Sequence, residues 1–135
     1  MVTVVDASVI VRLLQARPSD ELLRQPVAGA GRGLHAPAHL DIEVFSAVTG
    51  LAKGGKITED RAGRMADQLA SLRITRHAVA PFGRRLLELR HNFTAYDAAY
   101  LALAEALGGP LLTCAAKFAR APRSAHRAEN QLYPA

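Results

Sequence analysis

The chain alternates between short apolar runs rich in β-branched residues and longer segments whose apolar residues recur every three or four positions. The short runs predict strands at 2–5, 34–36, 74–80 and 110–113, with a last short strand at 127–132. Helical spacing predicts helices at 7–15, 38–53, 58–72, 82–90 and 94–107, and a short one that ends at Gln25. Alternating strands and helices favour a parallel α/β sheet with helices on both faces. Without repeats or linkers, residues 1–135 are expected to form one domain.

The composition of the chain indicates its cellular compartment and the class of molecule that it binds. No apolar run approaches the roughly 18 residues that span a bilayer, and the first residues lack the features of a signal peptide. Cys114 is the single cysteine, which favours a reducing, cytoplasmic setting. The 17 Lys and Arg outnumber the 12 Asp and Glu, giving a net charge of +5. A basic surface favours polyanionic partners, although charge alone fits an ordinary solvated surface equally well.

Three carboxylates are candidates for a shared site. Asp6 directly follows the first predicted strand, Asp97 lies at the start of a late helix, and Glu43 lies beside an apolar helix stripe. Because the carboxyl ends of parallel strands point to one edge, the three side chains can meet there. Converging carboxylates repel each other unless a cation neutralises them, and their oxygens suit Mg²⁺ or Mn²⁺. Such an ion can activate a water for phosphodiester hydrolysis.

Each acid also has a purely structural interpretation. Asp6 can cap the first helix, and Asp97 can complete a capping box with Thr94. Glu43 can be solvated at the shoulder of its helix. The spacing of these residues alone leaves both interpretations open.

Two other patterns are weaker. His35 and His39 have the i, i+4 spacing of metal ligands, but Pro37 lies between them and no third ligand is evident. Cys114 can act as a nucleophile, but a lone cysteine after an apolar strand is more typical of an inert core thiol. Neither pattern is a stronger candidate for a functional site than the three carboxylates.

Three segments together resemble the PIN-domain ribonucleases of the VapC toxin type. They are VVDASVIV, the Glu43 helix segment IEVFSAV, and TAYDAAYLALAEALGGPLLT, in the order and spacing of that family. The resemblance implies a three-layer α/β/α domain with a central parallel sheet. It implies a Mg²⁺- or Mn²⁺-dependent endoribonuclease that acts on tRNA or other structured RNA. It also implies a small VapB-like antitoxin partner, a homodimer, no membrane association, and DNA contact only through the antitoxin.

Carried over by position, the resemblance assigns roles to individual residues. It makes Asp6, Glu43 and Asp97 the catalytic and metal-binding acids. It makes three hydroxyl residues supporting groups: Ser8, Thr94 and Thr113. The basic clusters supply candidates for contact with the RNA backbone: Arg84, Arg85, Lys117 and Arg120.

One position departs from the family pattern. Many relatives carry a fourth acid two residues after the strand-end threonine, where this chain has Ala115. Losing a carboxylate removes negative charge and weakens cation binding. Two hypotheses follow: an active, attenuated endoribonuclease, or a catalytically weak protein that acts mainly by binding its antitoxin and by co-repression.

Overall fold

The computed structural model describes residues 2–15, 33–120 and 129–132. The strands are β1 (Thr3–Val5), β2 (Leu34–Pro37), β3 (Thr75–His77), β4 (Pro110–Thr113) and β5 (Glu129–Leu132). The helices are α1 (Ala7–Gln15), α2 (Leu40–Lys53), α3 (Glu59–Ser71), α4 (Gly83–Glu88), α5 (Ala95–Leu107) and α6 (Lys117–Arg120), with a 3₁₀ turn at Ala80–Phe82. The predicted helix that ends at Gln25 lies outside the described residues.

The five strands form one parallel sheet in the order β3-β2-β1-β4-β5. This confirms the predicted α/β class. From β1 the chain adds β2 and β3 on one side and β4 and β5 on the other, so the strand order reverses between β1 and β4. Open parallel sheets bind ligands in the crevice outside the strand ends at such a reversal. Asp6 directly follows β1 and Thr113 ends β4, so both residues lie at that crevice.

Some element boundaries differ from the predicted ones. The strand predicted at 74–80 is shorter, because β3 is an edge strand and the chain turns away into the 3₁₀ turn around Pro81. The helix predicted at 82–90 accordingly spans Gly83–Glu88. The helix predicted from 38 begins at Leu40, since the Ala38 amide instead donates a 2.8 Å hydrogen bond to the His77 carbonyl beside β3.

Helix α5 lies at the centre of the fold. Every residue from Asp97 to Ala104 is buried, in contrast to α2, which buries one stripe of Leu40, Val44 and Val48. The helix ends before Gly108, whose φ of 67° is left-handed, a conformation common at the residue that follows a helix. Because α5 is packed on all sides, the helix is held in one orientation. The direction of the Asp97 side chain, in its first turn, is therefore fixed. No helix in the described part of the chain is long and apolar enough to cross a membrane.

Candidate functional site

Asp6 is a buried carboxylate held by three donors. Its side chain Oδ1 accepts hydrogen bonds from Ser8 Oγ at 2.6 Å and from the Val9 amide at 3.2 Å. Its Oδ2 accepts one from the Thr113 hydroxyl. The residue is 4% exposed, and burial raises its pKa, opposed by these hydrogen bonds and by the charge of Lys117. Asp6 is therefore both the cap of α1 and a fixed anion at the crevice.

The hydroxyls that hold Asp6 also join the start of α1 to the end of β4. Ser8 Oγ accepts from the Cys114 amide, and Thr113 Oγ1 accepts from the Ala115 amide, both at 2.9 Å. Ala115 is thus bound through its backbone into the corner that contains Asp6. Where the family pattern has a fourth acid, the side chain of Ala115 is a methyl group.

Asp97 lies in the first turn of α5, where its amide donates to the Thr94 hydroxyl at 3.3 Å. Its carboxylate is free of that cap and lies 2.8 Å from Lys117 Nζ. Lys117 also acts electrostatically on Asp6. The lysine predicted to contact RNA is therefore directed at the acids, and its ammonium group is a cation of the chain itself within the acidic site.

Glu43 joins the site through Tyr100. Its Oε1 accepts a 2.5 Å hydrogen bond from the Tyr100 hydroxyl and lies 3.3 Å from His39 Nε2. Burial, the hydrogen bond to Glu43 and the charges of Glu43 and Asp6 raise the pKa of Tyr100. Glu43 is thus hydrogen-bonded to Tyr100 and Asp97 is paired with Lys117, whereas Asp6 interacts with Tyr100 and Lys117 electrostatically.

The sequence did not identify Tyr100 or His39 as parts of this site. Tyr100 fitted the apolar stripe of α5, and His39 was considered only as a zinc ligand paired with His35. Tyr100 follows Asp97 by one helical turn, and His39 precedes Glu43 by one, so each shares a face with a candidate acid. That i, i+3 and i, i+4 relation is the signal that identifies them.

The donor set suits a hard cation, although the acids are not gathered around one point. Within residues 2–15, 33–120 and 129–132, no three His, Cys, Asp or Glu side chains are close enough to hold an ion together. The donors are carboxylate oxygens, which match Mg²⁺ or Mn²⁺. The Lys117 ammonium already occupies a cation position against Asp97. In this arrangement the Lys117 ammonium, and not a cluster of three acids, is the cation partner of Asp97.

His35 and His39, the pair with the spacing of metal ligands, do not contact the same group. His35 Nδ1 lies 2.8 Å from His77 Nε2 across the β2–β3 pair, whereas His39 contacts Glu43. Burial and the neighbouring His77 lower the pKa of His35. The structure gives the two histidines separate partners.

The predicted RNA-contact residues differ in their surroundings. The Arg85 guanidinium is paired with Glu105 at 2.7 and 2.9 Å and with Glu88 at 3.2 Å. Arg84 is exposed on the same helix, and the side chain of Arg120 lies outside the described part. Of the α4 arginines, Arg84 is therefore the one whose side chain faces solvent.

An open cavity of about 300 Å³ adjoins the α1 end of the site. It lies between α1 and α2, where the small side chain of Ala47 faces α1. Its walls are mostly apolar and are formed by Ala7, Ser8, Val11, Arg12, Ala47 and Cys114. Ser8, which donates a hydrogen bond to Asp6, therefore lies between this cavity and the carboxylate.

Comparison with known proteins gives one consistent family. The family model of the PIN domain matches residues 3–124. Ribonuclease VapC12 of Mycobacterium tuberculosis is 35% identical over 129 residues, covering 96% of this chain and 97% of that protein. Ribonuclease VapC3 of the same organism is 37% identical over 123 residues, covering 91% and 89%.

Solved structures share the same architecture. The crystal structure of VapBC2 from Rickettsia felis bound to a DNA fragment from their promoter aligns with a TM-score of 0.66 at 15% identity, covering 98% of both chains. The crystal structure of PAE2754 from Pyrobaculum aerophilum aligns with a TM-score of 0.66 at 20% identity, covering 96% of this chain and 83% of that one. At these identities the likeness establishes the fold alone.

Proposed function

The chain belongs to the PIN-domain family, and on that premise we propose that it is the toxin of a type II toxin–antitoxin pair that hydrolyses RNA phosphodiester bonds. The observation that carries the proposal is Asp6, a buried anion fixed by Ser8 and Thr113 at the strand-order reversal. Relatives that match nearly the whole chain are named ribonucleases, which supports the same activity.

We further propose that the activity depends on Mg²⁺ or Mn²⁺ held by Asp6, Asp97 and Glu43. A bound ion would polarise a phosphoryl oxygen and lower the pKa of a water. Asp6 is already immobilised by its donors, and its Oδ2, which accepts from the Thr113 hydroxyl, has a second lone pair that would bind the ion. Asp97 becomes available when Lys117 releases it. Glu43, hydrogen-bonded to Tyr100 and 3.3 Å from His39 Nε2, would complete the ligand set or orient the attacking water.

The substrate we propose is tRNA or another structured RNA. The net charge of +5 favours a polyanion, and the cavity beside Ser8 gives a nucleotide room next to Asp6. Arg84, which is exposed, and Arg120 remain the predicted contacts with the RNA backbone. Arg85 is less suited to that role, since two carboxylates already occupy its guanidinium.

The proposed partners are a VapB-like antitoxin and a second copy of this chain, in the cytoplasm. The solved VapBC2 structure, which is bound to a DNA fragment from the promoter, supports an antitoxin partner. DNA contact would then arise only through the antitoxin.

A second function competes with catalysis. Ala115 removes one acid, and Lys117 neutralises another, so the site has less negative charge than three free acids would give. A protein with this deficit would bind its antitoxin and take part in repression while cleaving RNA weakly. This is the alternative we retain.

Cleavage of a tRNA pool in Mn²⁺ separates the two functions. We expect Mn²⁺-dependent cleavage by the unaltered chain, loss of it in Asp6→Asn, and an increase in Ala115→Asp. The matched control is Asp67→Asn, the same change at an exposed carboxylate on α3. Cleavage that Asp6→Asn leaves intact would reject the metal site. No cleavage by the unaltered chain together with cleavage by Ala115→Asp would favour the binding function.

A further inference from the structure

Tyr100 combines a core ring with a hydroxyl directed at the acidic site. The residue is 2% exposed in the buried centre of α5, one turn after Asp97. Its hydroxyl donates to Glu43 Oε1 and lies near the backbone of Ala7, which directly follows Asp6. The side chain therefore reaches from α5 to the two other elements that carry candidate acids, α1 and α2.

A phenylalanine would satisfy the packing at this position. The hydroxyl adds a polar group that must find a partner when it is buried. Its partner is the carboxylate of Glu43 on α2. The packing of the core therefore does not explain the hydroxyl, whereas the orientation of Glu43 does.

Glu43 needs an external constraint because its own surroundings provide little. The side chain is 30% exposed, and a glutamate loses considerable rotamer freedom when it is fixed. Tyr100 constrains one carboxylate oxygen, and His39, whose ring lies 4.9 Å from that of Tyr100, approaches the same oxygen. Within the described part of the chain, both of these contacts are made by Oε1, so Oε2 can face another ligand.

We propose that Tyr100 is a positioning residue, which holds the Glu43 carboxylate in the orientation that the metal site requires. This inference rests on the proposed metal-dependent function. Tyr100 acts through Glu43, and its hydroxyl takes no part in bond breaking. Groups that orient metal ligands in this way contribute about 10- to 100-fold to metal affinity or activity.

The test compares two identical chemical changes on one helix. Tyr100→Phe removes the buried hydroxyl, and Tyr96→Phe removes a hydroxyl from a residue that is 64% exposed. We expect Tyr100→Phe to weaken Mn²⁺ binding, measured by electron paramagnetic resonance, by about tenfold. We expect kcat to fall by a similar factor while KM for RNA changes less than about twofold. Tyr96→Phe should leave all three quantities unchanged.

A double-mutant cycle separates positioning from other roles. In a Glu43→Ala background, Tyr100→Phe should change Mn²⁺ affinity by less than about twofold, because the group it positions is gone. A full additional loss in that background would overturn the inference, as would unchanged Mn²⁺ affinity and kcat in Tyr100→Phe itself. Failure of the unaltered chain to bind Mn²⁺ would instead overturn the proposed function. The two failures are therefore distinguishable.

Discussion

Lys117 Nζ lies 2.8 Å from Asp97 Oδ1, so a cation of the chain already neutralises one of the three candidate acids. The same ammonium lowers the pKa of Asp6, although burial raises that pKa overall. Because position 115 is alanine and carries no fourth carboxylate, the Lys117 ammonium neutralises a larger fraction of the negative charge in the site. Lys117 therefore competes with any metal ion for Asp97.

Replacing this lysine should strengthen metal binding. Lys117→Met keeps the length of the side chain and removes its charge, and we expect Mn²⁺ to bind about fivefold more tightly, equivalent to about 1 kcal/mol at a partly exposed site. The lysine is 54% exposed, so stability should change little. Isothermal titration calorimetry measures the affinity.

The control for that change is Lys53→Met, at the far end of α2 from Glu43. It removes the same charge from the whole protein but not from the site. Equal affinities in Lys117→Met and Lys53→Met would show that the ion pair with Asp97 does not oppose metal binding.

Asp6 should reduce the stability of the metal-free protein at neutral pH. Because burial raises its pKa above the ordinary value of 3.8, the folded state binds its proton more tightly than the unfolded state does. The favourable contribution is therefore complete below pH 3.8 and is lost as pH rises through the raised pKa. Relative to the unaltered chain, Asp6→Asn should therefore gain stability as pH rises from 4 to 7.

Thermal melting in a chelator between pH 4 and pH 7 checks this sign. The difference between Asp6→Asn and the unaltered chain should grow as pH rises, while Asp67→Asn, at an exposed position, should show no such trend. An Asp6→Asn variant that is less stable at pH 7 than at pH 4, relative to the unaltered chain, would contradict the burial argument.

The close approach of Gly109 to β1 fixes the position of β4 and thus of Thr113. A Cβ atom at Gly109 would lie 2.3 Å from the Val2 carbonyl oxygen, which is backbone and cannot rotate away. We expect Gly109→Ala to destabilise the protein by about 2 kcal/mol or more, since overpacking forces a backbone shift. Gly63→Ala, inside α3 where no atom lies within 4 Å of the added Cβ, should stabilise it by about 0.5–1 kcal/mol.

Urea denaturation measures both changes on one protein. Opposite signs for Gly109→Ala and Gly63→Ala are expected. If Gly109→Ala left the free energy of unfolding unchanged, β4 would be able to move away from β1. The hydrogen bonds of Ser8 and Thr113 to Asp6 would then not be fixed by the packing of these two strands.

The sequence predicted the features that local patterns encode. The apolar runs identified β1 and β4, the glycines at 108 and 109 identified the end of α5, and Asp6 and Thr94 identified the starts of α1 and α5. Those residues are recognisable because capping and strand ends impose local rules.

Other features depend on contacts between distant segments. Helical periodicity indicates that the Tyr100 ring is buried. It gives no information on the partner of the hydroxyl, Glu43, which is 57 residues away in the sequence. Lys117 looked like an RNA contact because charge composition does not indicate that α6 brings it to Asp97. The edge strand β3 was predicted too long, since pairing with a single neighbour shortened it.

A crystal structure of the protein soaked in Mn²⁺, with anomalous data, tests directly whether these acids bind a metal. We predict a peak within bonding distance of carboxylate oxygens of Asp6 and Asp97, with Lys117 Nζ moved away from Asp97. An empty site with Lys117 still paired to Asp97 at saturating Mn²⁺ would contradict this prediction.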